Sequence, residues 1–364
     1  MTDGEKPSSR RHGNNKSRQR SGRQSSSGKK LYAALDLGTN NCRLLIATPT
    51  GGQFRVVDGF SRIVRLGEGL DESGKLSDPA MERAFEALKV CAHKLAKTKV
   101  KRVRAVATQA CRTAINGSDF IERVRQDIGL SLKIISTEEE ARLALRGCMD
   151  LFDHECEAAL VIDIGGGSTE ISWVQLAGIP DVQTQKRPPY ARLQSWVSLD
   201  LGVVTMAERF PEREDREQWF EDMCNHAREK IAKFEGANEF RSIFAEGRTH
   251  HVGTSGAVTS LGGLHLNLAR YQRAKVDGLW LSDTDTVNAT QRLLSKNLEE
   301  RAAEPCIGGE RADLVLAGCA ILQAIQLEWP SSRIRVADRG LREGLLLSMM
   351  AFDRKKRGPR GRRR

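Results

Sequence analysis

Short apolar segments alternate with longer segments in which apolar residues recur at helical spacing. A helix is predicted over residues 79–95, with Asp78 as its N-cap and Pro79 in its first turn. A second helix is predicted near residues 119–128. The short apolar runs predict strands at 31–35, 43–47, 53–57, 103–107 and 132–135. This alternation favours an α/β fold, with central sheets flanked by helices.

A third helix is predicted over residues 137–148. Ser136 precedes it and Glu139 follows three residues later, which is the spacing of a capping box. The first turn carries three acids in a row, Glu138, Glu139 and Glu140. The dipole of a helix favours carboxylates in this turn, so their charge suits the position.

One pattern occurs twice along the chain. The stretch "LVIDIGGGSTEISWV" at residues 160–174 reads as a strand, an acid, a glycine turn and a second strand, and "LYAALDLGTNNCRLLIA" at 31–47 repeats that order. The repeat predicts two related domains that begin near Leu31 and Ala158. A third glycine-rich stretch, "HVGTSGAVTSLGG" at 251–263, is interpreted as another loop. A ligand is expected in the cleft between the two halves.

Both turns have the chemistry of a phosphate site. Glycines let backbone N–H groups approach an anion closely, and neighbouring hydroxyl and amide groups add donors. The residues proposed for phosphate are Thr39 and Asn40 in the first turn and Gly165, Gly166, Gly167, Ser168 and Thr169 in the second. The preceding acids, Asp36 and Asp163, suit Mg²⁺, which takes one or two carboxylates and keeps waters or substrate oxygens as its other ligands.

The net charge of +11 is concentrated at the two ends of the chain. Residues 1–30 hold nine Lys/Arg against two acids, and residues 354–364 hold eight Lys/Arg and no acid, which leaves a mildly acidic body. Both ends are predicted to be disordered. The eight scattered cysteines contain no Cys-x-x-Cys pair, and no apolar stretch is long enough for a bilayer, so a cytoplasmic protein without a membrane partner is expected.

Several stretches, taken in order, resemble the Ppx/GppA family of exopolyphosphatases and guanosine pentaphosphate phosphohydrolases. They are "ALDLGTNNCRLLIA", "ATQACRTAING", "IISTEEEARLALRG", "VIDIGGGSTEIS", "LDLGVVTMAERF", "VGTSGAVTSLGG" and "VADRGLREGLL". The resemblance covers nearly all of the folded chain and matches the short form of the family. It implies two ribonuclease-H-like domains of the actin, sugar-kinase and heat-shock chaperone superfamily, at 31–155 and 156–353. The last helix would pack back on the first domain.

The resemblance also implies roles for individual residues. Glu140, in "TEEEAR", matches the catalytic base, and Glu170 would be a metal ligand or a second acid that orients water. Arg112 would bind the phosphate chain, because a guanidinium fork suits phosphoryl oxygens. Ser255 and Gly256 would approach phosphate from the third loop. The pair Arg342 and Glu343 is interpreted as structural, as are His250–His251 and the group Cys148, His154 and Cys156.

The resulting prediction is a Mg²⁺-dependent phosphohydrolase with Asp36, Asp163 and Glu170 near the metal. It would release terminal phosphate from polyphosphate or guanosine pentaphosphate, between which the sequence does not choose. An ATP-dependent kinase or chaperone-like ATPase of the same fold is one alternative. The other is a nucleic-acid-binding or regulatory protein that uses its basic ends. A weak RNA or polyanion contact through those ends and a homodimer are further expectations.

Overall fold

The computed structural model describes residues 30–176, 193–234 and 238–356. The predicted basic ends lie outside these ranges except for Lys30 and residues 354–356. The strands are β1 (Tyr32–Leu37), β2 (Asn41–Thr50), β3 (Gln53–Ile63), β4 (Arg102–Ala107), β5 (Leu132–Ile134), β6 (Ala158–Ile164), β7 (Thr169–Gln175), β8 (Leu193–Leu199), β9 (Thr249–Thr254), β10 (Trp280–Ser282) and β11 (Arg333–Ala337).

The helices, in the same ranges, vary from a single turn to 21 residues. They are α1 (Leu70–Ser73), α2 (Asp78–Thr98), α3 (Gln109–Thr113), α4 (Gly117–Ile128), α5 (Thr137–Cys148), α6 (Val203–Arg209), α7 (Arg216–Ala232), α8 (Asn238–Ala245), α9 (Gly256–His265), α10 (Arg273–Val276), α11 (Asp283–Leu294), α12 (Leu298–Ala302), α13 (Val315–Glu328) and α14 (Leu341–Lys356). None of the helices in the described ranges is both long and apolar enough to cross a bilayer.

The strands form two sheets that repeat one topology. The first has the order β3-β2-β1-β4-β5, and the second has the order β10-β11-β9-β6-β7-β8. In each, the strand that carries the acid pairs antiparallel with the next strand of its hairpin and parallel with a later strand on its other side. The sequence repeat therefore corresponds to a structural repeat of two ribonuclease-H-like domains, as predicted.

Both faces of each acid-bearing strand are buried, which explains why β1 and β6 are continuous apolar runs. In β1, Ala33 and Leu35 pack toward α2 and α4, whereas Tyr32 and Ala34 pack toward α14. In β6, Leu160 and its alternate neighbours pack toward α9 and α13, whereas Ala159 and Val161 face the end of α5.

Two helices fill the space between the sheets. Helix α14 follows the second sheet in the chain but packs on the first, and Leu145 and Cys148 of α5 pack on the second sheet. The two helices touch backbone to backbone: a Cβ added to Gly344 would lie 2.0 Å from the carbonyl oxygen of Leu143, and one added to Gly147 would lie 2.0 Å from that of Gly340. Only glycine permits these two contacts.

Some local predictions need correction. The N-cap of α2 is Ser77 rather than Asp78, which is the first residue of the helix. Ser136 caps α5 by accepting a hydrogen bond from the Glu139 N–H at 3.2 Å. The Glu139 side chain, however, binds Arg104 and Lys133 instead of completing a capping box.

Two predicted boundaries also differ. The stretch 251–263, interpreted as a loop, is mostly the end of β9 and the start of α9, joined at Ser255. Helix α14 continues to Lys356, past the expected end of the folded region at residue 353. Its last turn is therefore part of what the sequence suggested was a disordered end.

Candidate active site

The two hairpins bring charged residues together by strand register. In the antiparallel pair β1–β2, Asp36 lies directly opposite Arg43, and in β6–β7, Asp163 lies directly opposite Glu170. Side chains directly opposite on such a pair share one face of the sheet, with Cβ atoms about 5 Å apart. All four residues line one cavity between the domains, together with Glu140 of α5. The acids are thus collected from both halves of the chain.

The glycine turns of the two hairpins meet across this cavity. A Cβ added to Gly166 would lie 2.9 Å from the backbone nitrogen of Asn40 and 3.0 Å from Cβ of Thr39. A Cβ on Gly167 would lie 1.8 Å from Oε1 of Gln109. Gly166 is therefore required by the close approach of the two domains, whereas a side chain on Gly167 would only displace the end of the flexible Gln109 side chain. Both glycines leave access for an anion.

Glu140 is held at the edge of the cavity by one arginine. A guanidinium nitrogen of Arg112 lies 3.1 Å from a carboxylate oxygen of Glu140 and also donates to the carbonyl of Ile135 at 2.9 Å. Only 12% of the Glu140 side chain is exposed. Burial raises the pKa of Glu140 well above its ordinary value, the nearby Glu170 raises it further, and Arg112 opposes both effects. Such an environment gives a carboxylate greater proton affinity.

Glu170 is buried and accepts two hydroxyl hydrogen bonds. Ser168 and Ser198 each donate to its Oε1 at 2.8 Å. Burial raises the pKa of Glu170, and the two serine hydrogen bonds oppose that rise. The hydroxyl groups fix the carboxylate on the cavity wall, opposite Asp163.

Asp36 and Asp163 are the acids whose environment best fits a cation. Burial raises the pKa of Asp36 to about 6, against the lowering effect of Arg43 and Arg342. Burial also raises the pKa of Asp163 to about 7, and Glu170 and Asp36 add to that rise. A divalent cation between these carboxylates would offset both the burial and the mutual repulsion. The donor set, which consists of oxygen atoms only, fits Mg²⁺.

Within the described ranges, no three His, Cys, Asp or Glu side chains converge closely enough to form a complete metal site. Mg²⁺ usually binds proteins through one or two carboxylates and completes its octahedron with water and substrate phosphate. Asp36 and Asp163, with Glu170 beside them, would hold the ion in this way.

The cavity also contains arginines that the sequence analysis left out. Arg43 and Arg342 both line it, and among the described residues neither guanidinium makes a hydrogen bond or a close ion pair, although Asp36 opposite Arg43 attracts it. Burial lowers the pKa of Arg43, Arg342 and Arg311 lower it further, and Asp36 opposes these effects. Such mutually repelling cations are stabilised when a polyanion enters. By contrast, Glu343 also lines the cavity but is paired with Arg273 and accepts a hydrogen bond from the Gly340 N–H. Its structural role stays a prediction.

Sequence patterns could have identified one of these arginines. Arg43 follows Asp36 by seven residues, as Glu170 follows Asp163, and this spacing is fixed by the hairpin register. Arg342 carries no such signal, because it enters the cavity only through the packing of α14. Gln109, Thr108 and Thr254 also line the cavity and were not predicted.

The remaining predicted residues fall into two groups. Thr39, Asn40, Gly165, Gly166, Gly167, Ser168 and Ser255 line the cavity. The side-chain oxygens of Asn40 and Ser255 are buried without a hydrogen-bond partner in the described structure, and Ser255 has a φ of 103°. Unpaired buried polar atoms of this kind are costly unless a ligand or water satisfies them.

Three predicted residues lie elsewhere. The hydroxyl of Thr169 is not available to phosphate, because it donates to the carbonyl of Leu201 at 2.6 Å and the residue is fully buried. Gly256 borders a small neighbouring cavity beside Arg311. Arg112 lines an adjoining groove and reaches the main cavity through its contact with Glu140.

The buried histidines His250 and His251 lie on β9, away from the cavity lining.

Two ribonuclease-H-like domains with acid-bearing hairpins on either side of a shared cleft define the actin-like class of α/β proteins. Within that class, the chain belongs to the Ppx/GppA phosphatase family, whose sequence model matches residues 45–352. Membership supports phosphohydrolase activity at the level of the family.

Solved structures agree with this assignment. A Ppx/GppA family member from Aquifex aeolicus is 28% identical, with a TM-score of 0.71 over 89% of this chain and 98% of that one. An exopolyphosphatase-like protein is 27% identical, with a TM-score of 0.74 over 88% of this chain and 99% of that one. An exopolyphosphatase from Cytophaga hutchinsonii is 24% identical, with a TM-score of 0.75 over 89% and 98% of the two chains, and shares the fold.

Proposed function

We propose that this protein is a Mg²⁺-dependent phosphohydrolase that releases the terminal phosphate of inorganic polyphosphate or guanosine pentaphosphate. The observation that carries the proposal is the placement of Glu140. This carboxylate is fixed by Arg112 at the edge of a cavity whose other walls are two glycine turns and the acids Asp36 and Asp163. A base opposite an anion-binding turn is what in-line attack by water requires.

The residues that line the cavity would have different roles in the reaction. The glycine turns and Arg43 and Arg342 bind the phosphoryl oxygens, and Glu140 orients a water molecule toward the terminal phosphorus. As the new P–O bond forms, the water proton moves to a carboxylate oxygen of Glu140, and the bridging P–O bond breaks. The shortened chain leaves with the electron pair of that bond. When bound, Mg²⁺ would neutralise charge on the phosphate groups.

Burial makes Glu140 a stronger base, whereas Arg112 favours its ionised form. A base with a raised pKa accepts the proton more readily, but it works only in its carboxylate form. The contact at 3.1 Å between Arg112 and Glu140 reconciles these demands. Glu170, fixed by two serine hydroxyls, would orient the water or the cation from the opposite wall.

The test is phosphate release measured in parallel from polyphosphate, guanosine pentaphosphate and ATP, with and without Mg²⁺. The proposal predicts Mg²⁺-dependent release from at least one of the first two at a kcat/KM well above that for ATP. Hydrolysis of ATP alone, or phosphate transfer to an acceptor other than water, would instead identify an ATPase or a kinase of the same fold.

A further inference from the structure

A groove opens from the cavity between the start of α5 and the edge strand β8. It shares Gln109 and Ser168 with the lining of the cavity, so the groove adjoins the cavity directly. Its walls include Arg112, Thr113, Thr137, Trp196, Ser198 and Asp200. Whatever part of a substrate lies beyond the reacting phosphate can enter this groove.

Strand register places an indole next to the acids. Ser198 lies opposite Glu170 and donates to it. Trp196 lies opposite Ser172, two residues away along each strand. Side chains two residues apart on a strand point to the same face, about 6.8 Å apart. Trp196 is therefore on the same face of the sheet as the catalytic carboxylates, one repeat away from them.

The indole of Trp196 differs from the other tryptophans in having no partner in the part of the chain that the structure describes. Trp173 stacks on Phe234 and Phe240, Trp219 donates to the carbonyl of Phe210, and Trp280 lies beneath Arg333 and Arg335. Trp329 packs edge-on against Trp173. Trp196 is only half-buried, and within the described ranges its ring makes no aromatic contact and its indole N–H makes no hydrogen bond.

The charge of the groove favours one of the two candidate substrates, polyphosphate and guanosine pentaphosphate, over the other. Among its described lining residues, Arg112 is the single basic side chain, and Asp200 is acidic. A long polyphosphate carries a charge on every unit and would need a succession of cations along its path. An uncharged aromatic base needs none, and stacks readily on an exposed indole.

We propose that Trp196 is the stacking platform for the purine base of a nucleotide substrate, with Arg112 contacting phosphate between the base and the reacting centre. This inference rests on the proposed function and makes it specific: of the two substrates, guanosine pentaphosphate fits the groove better. Stacking on one aromatic side chain corresponds to a roughly 5- to 150-fold effect on binding.

The kinetic test compares Trp196→Ala with Trp196→Phe on guanosine pentaphosphate and on tripolyphosphate. Trp196→Ala should lower kcat/KM for the nucleotide roughly 5- to 150-fold more than for tripolyphosphate, through KM. Trp196→Phe should recover most of the difference, because a phenyl ring also stacks. Trp280→Ala, which removes another half-buried indole remote from the cleft, is the control and should leave the ratio unchanged. Equal losses on both substrates would overturn the proposal.

A binding measurement keeps this inference separate from the hydrolase assignment. Guanosine 5′-[β,γ-imido]triphosphate should quench tryptophan fluorescence in the parent protein and quench it much less in Trp196→Phe. Tripolyphosphate at equal concentration should quench neither. This outcome would support the nucleotide site even if no substrate were hydrolysed. Equal quenching by the nucleotide in parent and variant would refute the stacking role while leaving the hydrolase assignment intact.

Discussion

At the scale of residues, the site depends on two equivalent positions that differ in charge. The residue opposite the hairpin acid is Arg43 in the first domain and Glu170 in the second. One half of the repeat therefore presents an acid with a cation, and the other presents two acids. The first arrangement suits the anionic substrate and the second suits a cation or a polarised water. Glu140 then completes the site from outside the repeat.

The residue whose removal is most informative is Glu140. Glu140→Gln keeps the size and the hydrogen-bonding ability of the side chain but cannot accept a proton. We expect kcat to fall by about two to four orders of magnitude with substrate binding retained. Glu138→Gln, on an exposed part of the same helical turn, should leave kcat near the parent value. A well-folded Glu140→Gln enzyme with unchanged kcat would remove this residue from its role.

The sequence revealed the acids but not all of their neighbours. Asp36, Asp163 and Glu170 are conspicuous in the sequence because a charge in or beside an apolar strand destabilises the fold unless a partner or ligand compensates it. Arg43 is recognisable from the sequence only by comparing the two repeats, because it follows Asp36 at the same seven-residue spacing by which Glu170 follows Asp163. Arg342 and Trp196 depend on which helix or strand packs nearby, and this is a property of the three-dimensional structure alone.

At the scale of elements, α5 and α14 support Glu140, the proposed base. Leu143, whose carbonyl touches Gly344, lies one helical turn after Glu140. The separation of α5 and α14 therefore determines the position of Glu140. The strongly periodic helix α5 was predicted with its correct bounds. Helix α9 was not, because it is buried all around and contains three glycines, so it lacks amphipathic periodicity.

Gly344→Ala tests this support. The added Cβ would meet backbone 2.0 Å away, which no side-chain movement can relieve, so the helices must separate. We expect the free energy of unfolding to fall by about 1–3 kcal/mol. We expect kcat to fall by about 100-fold, which is the order of loss that a displacement of about 1 Å causes. Gly309→Ala adds the same methyl where no atom lies within 4 Å and is the matched control. Parent-like kcat in a Gly344→Ala enzyme would show that the helix contact does not position Glu140.

At the scale of the molecule, the domains are joined across the cleft by polar contacts. Arg65 pairs with Asp313 at 2.8 Å, Glu208 accepts from the Gly69 N–H at 3.0 Å, and Gln109 donates to Asp200 at 3.0 Å. Half-exposed ion pairs such as the first are worth about 0–1 kcal/mol. Contacts this weak can open and close for each substrate molecule, whereas the buried helices α5 and α14 keep the two domains together.

The charge distribution of the whole chain gives a separate prediction. The whole net charge of +11 lies in residues 1–29 and 357–364, and the charges of residues 30–356 cancel. Deleting both ends should weaken the binding of long polyphosphate and flatten its dependence on salt, because fewer counterions are released. Turnover of guanosine pentaphosphate should stay at the parent value. An unchanged salt slope after the deletion would show that the ends do not bind polyanions.

Glu140 is proposed to orient and deprotonate the water molecule that attacks the terminal phosphorus. The most direct test of this role is a single-turnover reaction of guanosine pentaphosphate with excess enzyme in ¹⁸O-labelled water, followed by mass spectrometry of both products. We expect one ¹⁸O atom in the released orthophosphate and none in the shortened nucleotide, at a rate reduced by about two to four orders of magnitude in Glu140→Gln. Label in the nucleotide, or the same rate in the Glu140→Gln variant, would contradict the account.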